Sequence, residues 1–173
     1  MLNNKKIFDV LTPLSKEHRI TKRIATKVND GTSDVDVTLT AEPGIWVATT
    51  NYGVVDKPTE AANSLQGLSA LCLNHSNNGV NPYEANDVKV GSIALLRSPG
   101  IRVLAGEAYF ELSDTQWDDL ASGDVLSVND DGKLTQVGPG HATGMVNAIV
   151  EEVDSKARTI IYVMADGLTK REV

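Results

Sequence analysis

The chain has 173 residues, of which 41% are hydrophobic. A chain of this length buries about 70% of its unfolded surface, so a core can form without disulfides or metals. The single cysteine, Cys72, excludes an internal disulfide and a zinc site built from several cysteines. No apolar run approaches the roughly 20 residues that span a bilayer, and residues 1–11 lack the pattern of a secretory signal. We therefore expect a soluble protein, made in a reducing cytoplasm, with no membrane partner.

The charge is distributed unevenly along the chain. Residues 1–27 contain seven basic residues against Asp9 and Glu17, a net of +5, whereas the remainder contains 9 basic and 21 acidic residues, a net of −12. A basic segment joined to an acidic body predicts that the segment docks on a negatively charged surface. The alternative is a solvated terminal segment. The acidic body and the lack of basic and aromatic residues in alternation weigh against nucleic acid as the partner.

Residues 1–30 place scattered apolar residues among the positive charges, and Pro13 interrupts any long helix there. We interpret them as a basic N-terminal arm, extended or strand-forming, that precedes a β-rich domain over residues 31–173. In residues 34–39 apolar residues alternate with Asp and Thr, which is typical of a half-buried strand. A further strand is predicted over 45–49.

Residues from about 51 to 87 have the character of a loop or helix insertion. Thr59 can cap a helix, and apolar residues recur at helical spacing between 61 and 72. A strand over 68–73 is the alternative. A polar loop follows, and a strand is predicted over 88–96.

The C-terminal part is the most strongly patterned. Two β-branched runs, 125–128 and 133–137, flank Asp131-Gly132, and an Asp-Gly step between apolar runs predicts a hairpin. Residues 113–120 predict one helical turn. Short strands at this spacing favour a mainly β fold, a small antiparallel β-barrel or sandwich with an extended arm and one short helix. Two more strands are predicted at 145–153 and 158–164.

The sequence offers few candidates for chemistry. Cys72 and His75 are three residues apart, but a nucleophile and base also need an orienting group and an oxyanion site, for which there is no motif. His141 follows Gly138-Pro139-Gly140 and is interpreted as a turn residue. The turn at 129–132 lacks the ligand number of a calcium loop. We predict no catalytic, cofactor-binding or metal-binding residues and no cofactor.

A succession of short motifs resembles a phage structural-protein pattern. In head decoration (cement) proteins of tailed bacteriophages, a GD-x-L-x-V, DGKLT and G-x-V succession builds a small β-barrel or sandwich. The similarity covers roughly residues 88–165. The matching segments are 98–103 (SPGIRV), 123–128 (GDVLSV), 131–135 (DGKLT) and 144–146 (GMV).

The resemblance implies a structural virion protein on the exterior of a capsid, without catalysis. Its partners would be the major capsid protein and other copies of itself, in a homotrimer. We expect the basic arm to contact an acidic shell, and deletion of residues 1–27 to leave a folded monomer that no longer decorates heads. The candidate capsid-binding residues are Lys5, Lys6, Lys16, Arg19, Lys22 and Arg23.

Two other interpretations stay open. The protein could be a tail-tube or head–tail joining subunit, in which case the 51–87 segment is the only candidate for an axial stacking hairpin. From a different class, it could be a small hydrolase that uses Cys72 and His75. Loss of a measurable activity on a Cys72→Ala change would favour the hydrolase.

Overall fold

A computed structural model of the chain is built mainly from short antiparallel strands. Among the described residues it contains one α-helix, α1 (Asp114–Asp119), and 3₁₀ turns at Asn4–Lys6 and Glu107–Tyr109. These elements confirm the mainly β prediction. The structure describes residues 4–15, 18–29, 31–40, 42–50, 53–55, 69–75, 92–96, 98–129, 131–136 and 146–165.

Thirteen strands are described. In chain order they are β1 (Phe8–Val10), β2 (Arg19–Arg23), β3 (Lys27–Asn29), β4 (Asp34–Asp36), β5 (Trp46–Thr50), β6 (Gly53–Val55), β7 (Ser69–His75), β8 (Ser92–Leu96), β9 (Arg102–Gly106), β10 (Val125–Val128), β11 (Leu134–Gln136), β12 (Ala148–Asp154) and β13 (Thr159–Met164).

The chain folds into two compact units. The terminal unit comprises residues 1–13, 98–129 and 133–173, and the central unit comprises residues 14–97 and 130–132. These bounds differ from the predicted arm and domain. Each unit contains its own sheet and its own buried residues.

The terminal unit holds a six-stranded sheet with the order β1-β9-β13-β12-β10-β11, in which every pair is antiparallel. The predicted hairpin is confirmed as β10–β11, and the predicted C-terminal strands as β12 and β13. Gly132 has φ +75°, the left-handed conformation that this tight turn requires. Asn129 closes the turn, since its Oδ1 accepts a hydrogen bond from the Lys133 amide at 3.0 Å.

Helix α1 confirms the helical turn predicted over 113–120. Ser113 begins it with a capping box: its hydroxyl accepts a hydrogen bond from the Gln116 amide, and the Gln116 side chain accepts one from the Ser113 amide. The short helix buries Trp117, whose ring meets Phe110 edge to face with 5.8 Å between centroids. The helix therefore closes one side of an aromatic core.

The central unit holds a five-stranded antiparallel sheet with the order β2-β8-β7-β5-β6. Its described core cluster is aliphatic apart from Cys72. Strand β7 confirms the strand alternative to a helix for residues 69–73, whereas the predicted helix start at Thr59 lies outside the described residues. The cluster is Val47, Val54, Cys72 and Leu95.

The two edges of this five-stranded sheet approach each other. Ile24, just after β2, forms a parallel bridge with Val54 of β6, and the Ala25 amide donates to the Val54 carbonyl at 3.0 Å. Gly53 makes the approach possible: it has φ +125°, and a Cβ there would lie 2.5 Å from the Arg23 carbonyl oxygen. Only glycine fits this backbone without displacement.

Strands β3 and β4 form a separate two-stranded sheet. The half-buried strand predicted over 34–39 begins at the observed residue but is wrong in its end and in its burial. The strand ends at Asp36, and the Val35 side chain is 42% exposed. Leu39 instead packs against the core cluster of the central unit, because the chain leaves the hairpin before it.

The N-terminal segment is divided between the two units. Strand β1 pairs with β9 in the terminal unit, and β2 pairs with β8 in the central unit. Deletion of residues 1–27 would remove a strand from each sheet. We therefore expect the deletion to destabilise the protein, and not to leave a folded monomer that has only lost binding. Point substitutions are the appropriate test of the basic residues.

Candidate docking surfaces

Two of the six candidate capsid-binding residues, Lys5 and Lys6, lie in the terminal unit. Lys5 Nζ is 3.4 Å from the Glu107 carboxylate, and the Tyr109 hydroxyl donates to the Lys6 carbonyl at 3.1 Å. Phe8 also packs on Tyr109, with ring centroids 5.9 Å apart. The start of the chain is thus tied to its own unit by an ion pair, a hydrogen bond and an aromatic contact.

The other candidates belong to the central unit. Lys22 and Arg23 are exposed on β2. Arg19 lies on the same strand, but its side chain is outside the description, as is all of Lys16. The structure therefore brings Arg19, Lys22 and Arg23 onto one edge strand and keeps Lys5 and Lys6 in the other unit.

Arg158 organises a charged cluster in the terminal unit. Its guanidinium donates to Glu107 at 2.9 Å and to Asp114 at 2.5 Å, and it lies 5.9 Å from the centroid of the Trp117 ring. Arg158 ends the turn between β12 and β13 and has φ 52°, in the left-handed region that non-glycine residues rarely occupy. The cluster joins the β12–β13 turn to α1.

The same contacts shift the titration of the cluster. The pKa of Glu107 lies below its ordinary value, chiefly because Arg158 donates a hydrogen bond to the carboxylate; partial burial opposes this shift, and Lys5 adds to it. The pKa of Arg158 is raised, first by its hydrogen bond to Asp114 and then by the one to Glu107. The cluster has the character of a structural ion-pair network on a surface.

The face of the terminal sheet that points away from its core is mainly aliphatic. Strand β13 alternates buried Ile160, Tyr162 and Met164 with partly exposed residues, of which Ile161 and Val163 are also apolar. The register places those residues beside equivalent positions on β9, β12 and β10. We call this set the aliphatic outer face: Leu104, Val125, Ile149, Ile161 and Val163.

Such a face is unusual for an antiparallel sheet with one core side, where solvent-facing positions are commonly polar. Ile149 is 40% exposed, and the side chains of the other four members are partly exposed. Asp9 and Glu152 stand at the two ends of the row that contains Leu104 and Ile161. An apolar patch with a polar rim is typical of a protein-binding surface.

One ion pair crosses this face. Arg102 of β9 donates two hydrogen bonds to the Glu151 carboxylate of β12, at 2.7 and 2.9 Å, across the intervening strand β13. The hydrogen bonds from Arg102 lower the pKa of Glu151, and the pKa of Arg102 is raised in turn. The fork-to-fork geometry orients both side chains across β13.

The residues considered for chemistry are not assembled into a site in the described part of the chain. The Cys72 thiol is fully buried in the core cluster, where cysteine acts as a small hydrophobic residue. The side chain of His75 and all of His141 lie outside the description. Among the described residues no group of three or more His, Cys, Asp or Glu could hold a metal ion. No described helix is long and apolar enough to cross a membrane.

The aliphatic outer face was not predicted from the sequence, although strand β13 carries a signal for it. The run Thr159–Met164 is apolar at both odd and even positions apart from its first residue, a pattern typical of strands covered on both faces. A strand with only one core side would alternate between apolar and polar residues.

Comparison with family models, with curated proteins and with solved structures finds no match for this chain.

Proposed function

We propose that this protein is a structural, non-catalytic subunit that binds and stabilises the outer surface of an assembled phage capsid. The resemblance of its motifs to head decoration proteins suggests the capsid as the partner. The aliphatic outer face is the observation that carries the binding role. A protein whose work is docking needs such a surface and needs no reactive side chains.

The resemblance and the outer face concern the same sheet. The segments 98–103, 123–128 and 131–135 form or lead into β9, β10 and β11, and the aliphatic residues of β12 and β13 lie between them in the strand order. The motif would therefore build the platform that presents the docking surface. Strand pairing over six strands makes that platform rigid, which limits the entropy lost on binding.

The binding free energy expected from this face suits a partner that offers many identical sites, as an assembled capsid does. Fully burying an aliphatic side chain contributes about 1.5–3 kcal/mol, and these five are already partly covered, so a single contact would be modest. A typical docking patch buries about 800 Å² on each partner, which is the scale of contact expected for a specific interface. Repeated contacts over a capsid surface strengthen modest binding through avidity.

An Ile149→Lys substitution tests the proposal. Ile149 is the most exposed member of the outer face, so the change should leave the fold intact and place a charge in the contact. We expect at least a tenfold loss of occupancy, equivalent to about 1.4 kcal/mol, on capsids of the encoding phage assembled without this protein. Co-sedimentation at sub-saturating protein measures it.

Two controls accompany this measurement. Ile149→Val keeps the surface apolar and should bind like the wild type, and Ala121→Lys adds the same charge at an exposed turn of the same unit. Wild-type occupancy by Ile149→Lys would contradict the proposed surface. Binding of the protein to the tail instead of the capsid would contradict the proposed role. It would favour a tail-tube or head–tail joining subunit.

The contribution of the basic residues to shell binding stays a prediction. Because deletion of residues 1–27 removes two strands, the double change Lys22→Glu with Arg23→Glu is the sharper test of an acidic shell partner. Lys156→Glu, at the exposed β12–β13 turn, reverses a charge elsewhere and serves as its control.

A further inference from the structure

The Arg102–Glu151 ion pair crosses the aliphatic outer face and does not merely border it. Arg102 occupies the same row as Val163 and Ile149, and Glu151 lies at the bulge of β12, beside the row that contains Ile161. The guanidinium reaches the carboxylate across β13, where Ile161 and Val163 are the outer apolar residues. Two charges are therefore held over a surface that is otherwise apolar.

Both side chains of the pair stay in contact with water. The exposed fractions are 46% for Arg102 and 40% for Glu151. Ion pairs at this exposure contribute little to stability, because water already solvates and screens both charges. Strands β9 and β12 are each joined to β13 by backbone pairing in any case. Holding the sheet together thus does not account for an ion pair at this position.

The energetic effect of the pair changes when an apolar surface covers it. Water would then be removed from both ions, and the attraction between two buried charges often fails to offset the loss of their hydration. The aliphatic residues around the pair act in the opposite direction, since removing them from water is favourable. The pair therefore opposes the covering of this face by any surface that offers no polar groups.

A second copy of the chain offers an apolar surface of the same size. Two sheets that pack face to face lie about 10 Å apart, and their inner side chains interdigitate. In a two-fold contact the outer face would meet itself, so the pairs of both copies would be buried together.

Four charges would lose their hydration in that contact, even if the two pairs met each other. The exposed Glu152 of each copy would add further negative charge. Replacing buried ionic groups by apolar side chains of similar volume often strengthens such an association. We propose that the Arg102–Glu151 pair is a specificity element, which keeps copies of this chain from packing their outer faces together.

This role goes beyond the proposed function, because it concerns contacts between copies and holds whether or not a capsid is present. It also limits which partners fit the outer face. A partner must leave the pair hydrated or supply hydrogen-bonding groups opposite it, through side chains or bridging water. The pair thereby distinguishes a partner with suitably placed polar groups from a purely apolar one.

Replacement of the pair by leucines tests this role on the full chain without capsids. Arg102→Leu with Glu151→Leu makes the face apolar throughout, so we expect a self-association Kd at least about tenfold lower than that of the wild type. Sedimentation velocity over a range of protein concentrations measures it. Addition of Ile149→Lys to this variant should return the Kd to the wild-type value, because Ile149 is exposed on the same face.

Control variants separate the position of the pair from a general gain in hydrophobicity. Lys27→Leu with Asp36→Leu replaces an exposed cross-strand ion pair of the central unit, with 3.7 Å between its charged atoms, by the same two leucines. This variant should keep the wild-type Kd. Glu151→Gln removes one charge, keeps a polar group on the face and should also leave self-association unchanged.

A second replacement covers the case in which the leucine variant does not fold, as judged by circular dichroism. Arg102→Met with Glu151→Met introduces longer, unbranched side chains and should lower the Kd in the same way. Loss of folding in both variants would overturn the proposed role, because the pair would then be required for the structure itself.

The proposed role is also overturned if the folded leucine variant keeps the wild-type Kd, or if Ile149→Lys fails to reverse its association. Equal association of the Lys27 and Asp36 control would overturn it, and so would weaker wild-type self-association on Ile149→Lys alone, because the face would then already pair. Capsid occupancy tests the proposed function separately. Wild-type protein that does not bind capsids would contradict that function and leave the role of the pair intact.

Discussion

The terminal and central units use different means to hold a sheet together. In the terminal unit, aromatic side chains form the contacts: Phe110 meets Trp117 and Tyr162 edge to face, with centroids 5.8 and 6.2 Å apart. In the central unit, backbone meets backbone at Gly53, where the two edges of the sheet are bridged. The first depends on side-chain volume and the second on the absence of a side chain.

The two units also differ in what they expose. The terminal unit exposes the aliphatic outer face, whose members are set by strand register. The central unit exposes charged strands of opposite sign, β2 and β4. An apolar surface provides affinity without strong selectivity, whereas charged edges determine which strands can pair. This difference is the reason for assigning the proposed shell binding to the terminal unit.

The largest effect is expected from Trp117→Ala. Trp117 is 2% exposed and contacts Phe110, so its removal leaves a cavity in the aromatic core and should lower the free energy of unfolding by about 3–5 kcal/mol. Urea unfolding measures the change. Thr115→Ala, on the exposed side of α1, should cost far less. Equal losses in the two variants would show that the aromatic contacts do not stabilise this unit.

Gly53→Ala should have the next largest effect and tests backbone closure in the central unit. The new Cβ would clash with the Arg23 carbonyl, and the alanine backbone would have to adopt a positive φ. Together these two effects should lower the free energy of unfolding by about 3 kcal/mol. Gly100→Ala is the matched control, because Gly100 has φ +86° but open space around its Cβ position, so only about 1 kcal/mol of conformational strain is expected. Thermal unfolding of both variants provides the comparison, and similar losses would contradict the closure argument.

The smallest effect concerns the charged cluster around Arg158. The folded pKa of Glu107 is depressed, so its contribution to stability is present above the unfolded carboxyl pKa of about 4.3 and is lost as the pH falls through the lower folded value. Glu107→Gln should therefore lower stability near pH 7 by less than about 1 kcal/mol, and the difference from wild type should shrink as the pH falls below about 4.3. Asp118→Asn measures the effect of removing one exposed carboxylate. A constant difference across this pH range would contradict the assignment.

The local part of the fold was predictable. The Asp131-Gly132 hairpin and the strand pair that follows it were found because turn residues and alternation act over a few positions. The burial of Cys72 agrees with its interpretation as a hydrophobic residue. The predicted end of β4 was wrong, since apolar alternation in residues 34–39 does not reveal where the chain leaves a hairpin.

The candidate surfaces were less predictable. The basic residues of the N-terminal segment were identified from charge alone, but their separation into Lys5 and Lys6 in one unit and the β2 cations in the other depends on distant strands. The aliphatic outer face could have been suspected from the unbroken apolar run in β13. Its full membership needed the register of four strands.

The sequence by itself determined the class of the fold, the positions of its tight turns and most strands of the terminal unit, because those features follow from conformational preferences within a few residues. Only the tertiary structure decided which strands are neighbours, that Ile24 meets Val54, and that Ile149 lies on an aliphatic face crossed by the Arg102–Glu151 pair. Pairing between strands far apart in the chain has a free energy that depends on both partners at once, and no single segment carries that information.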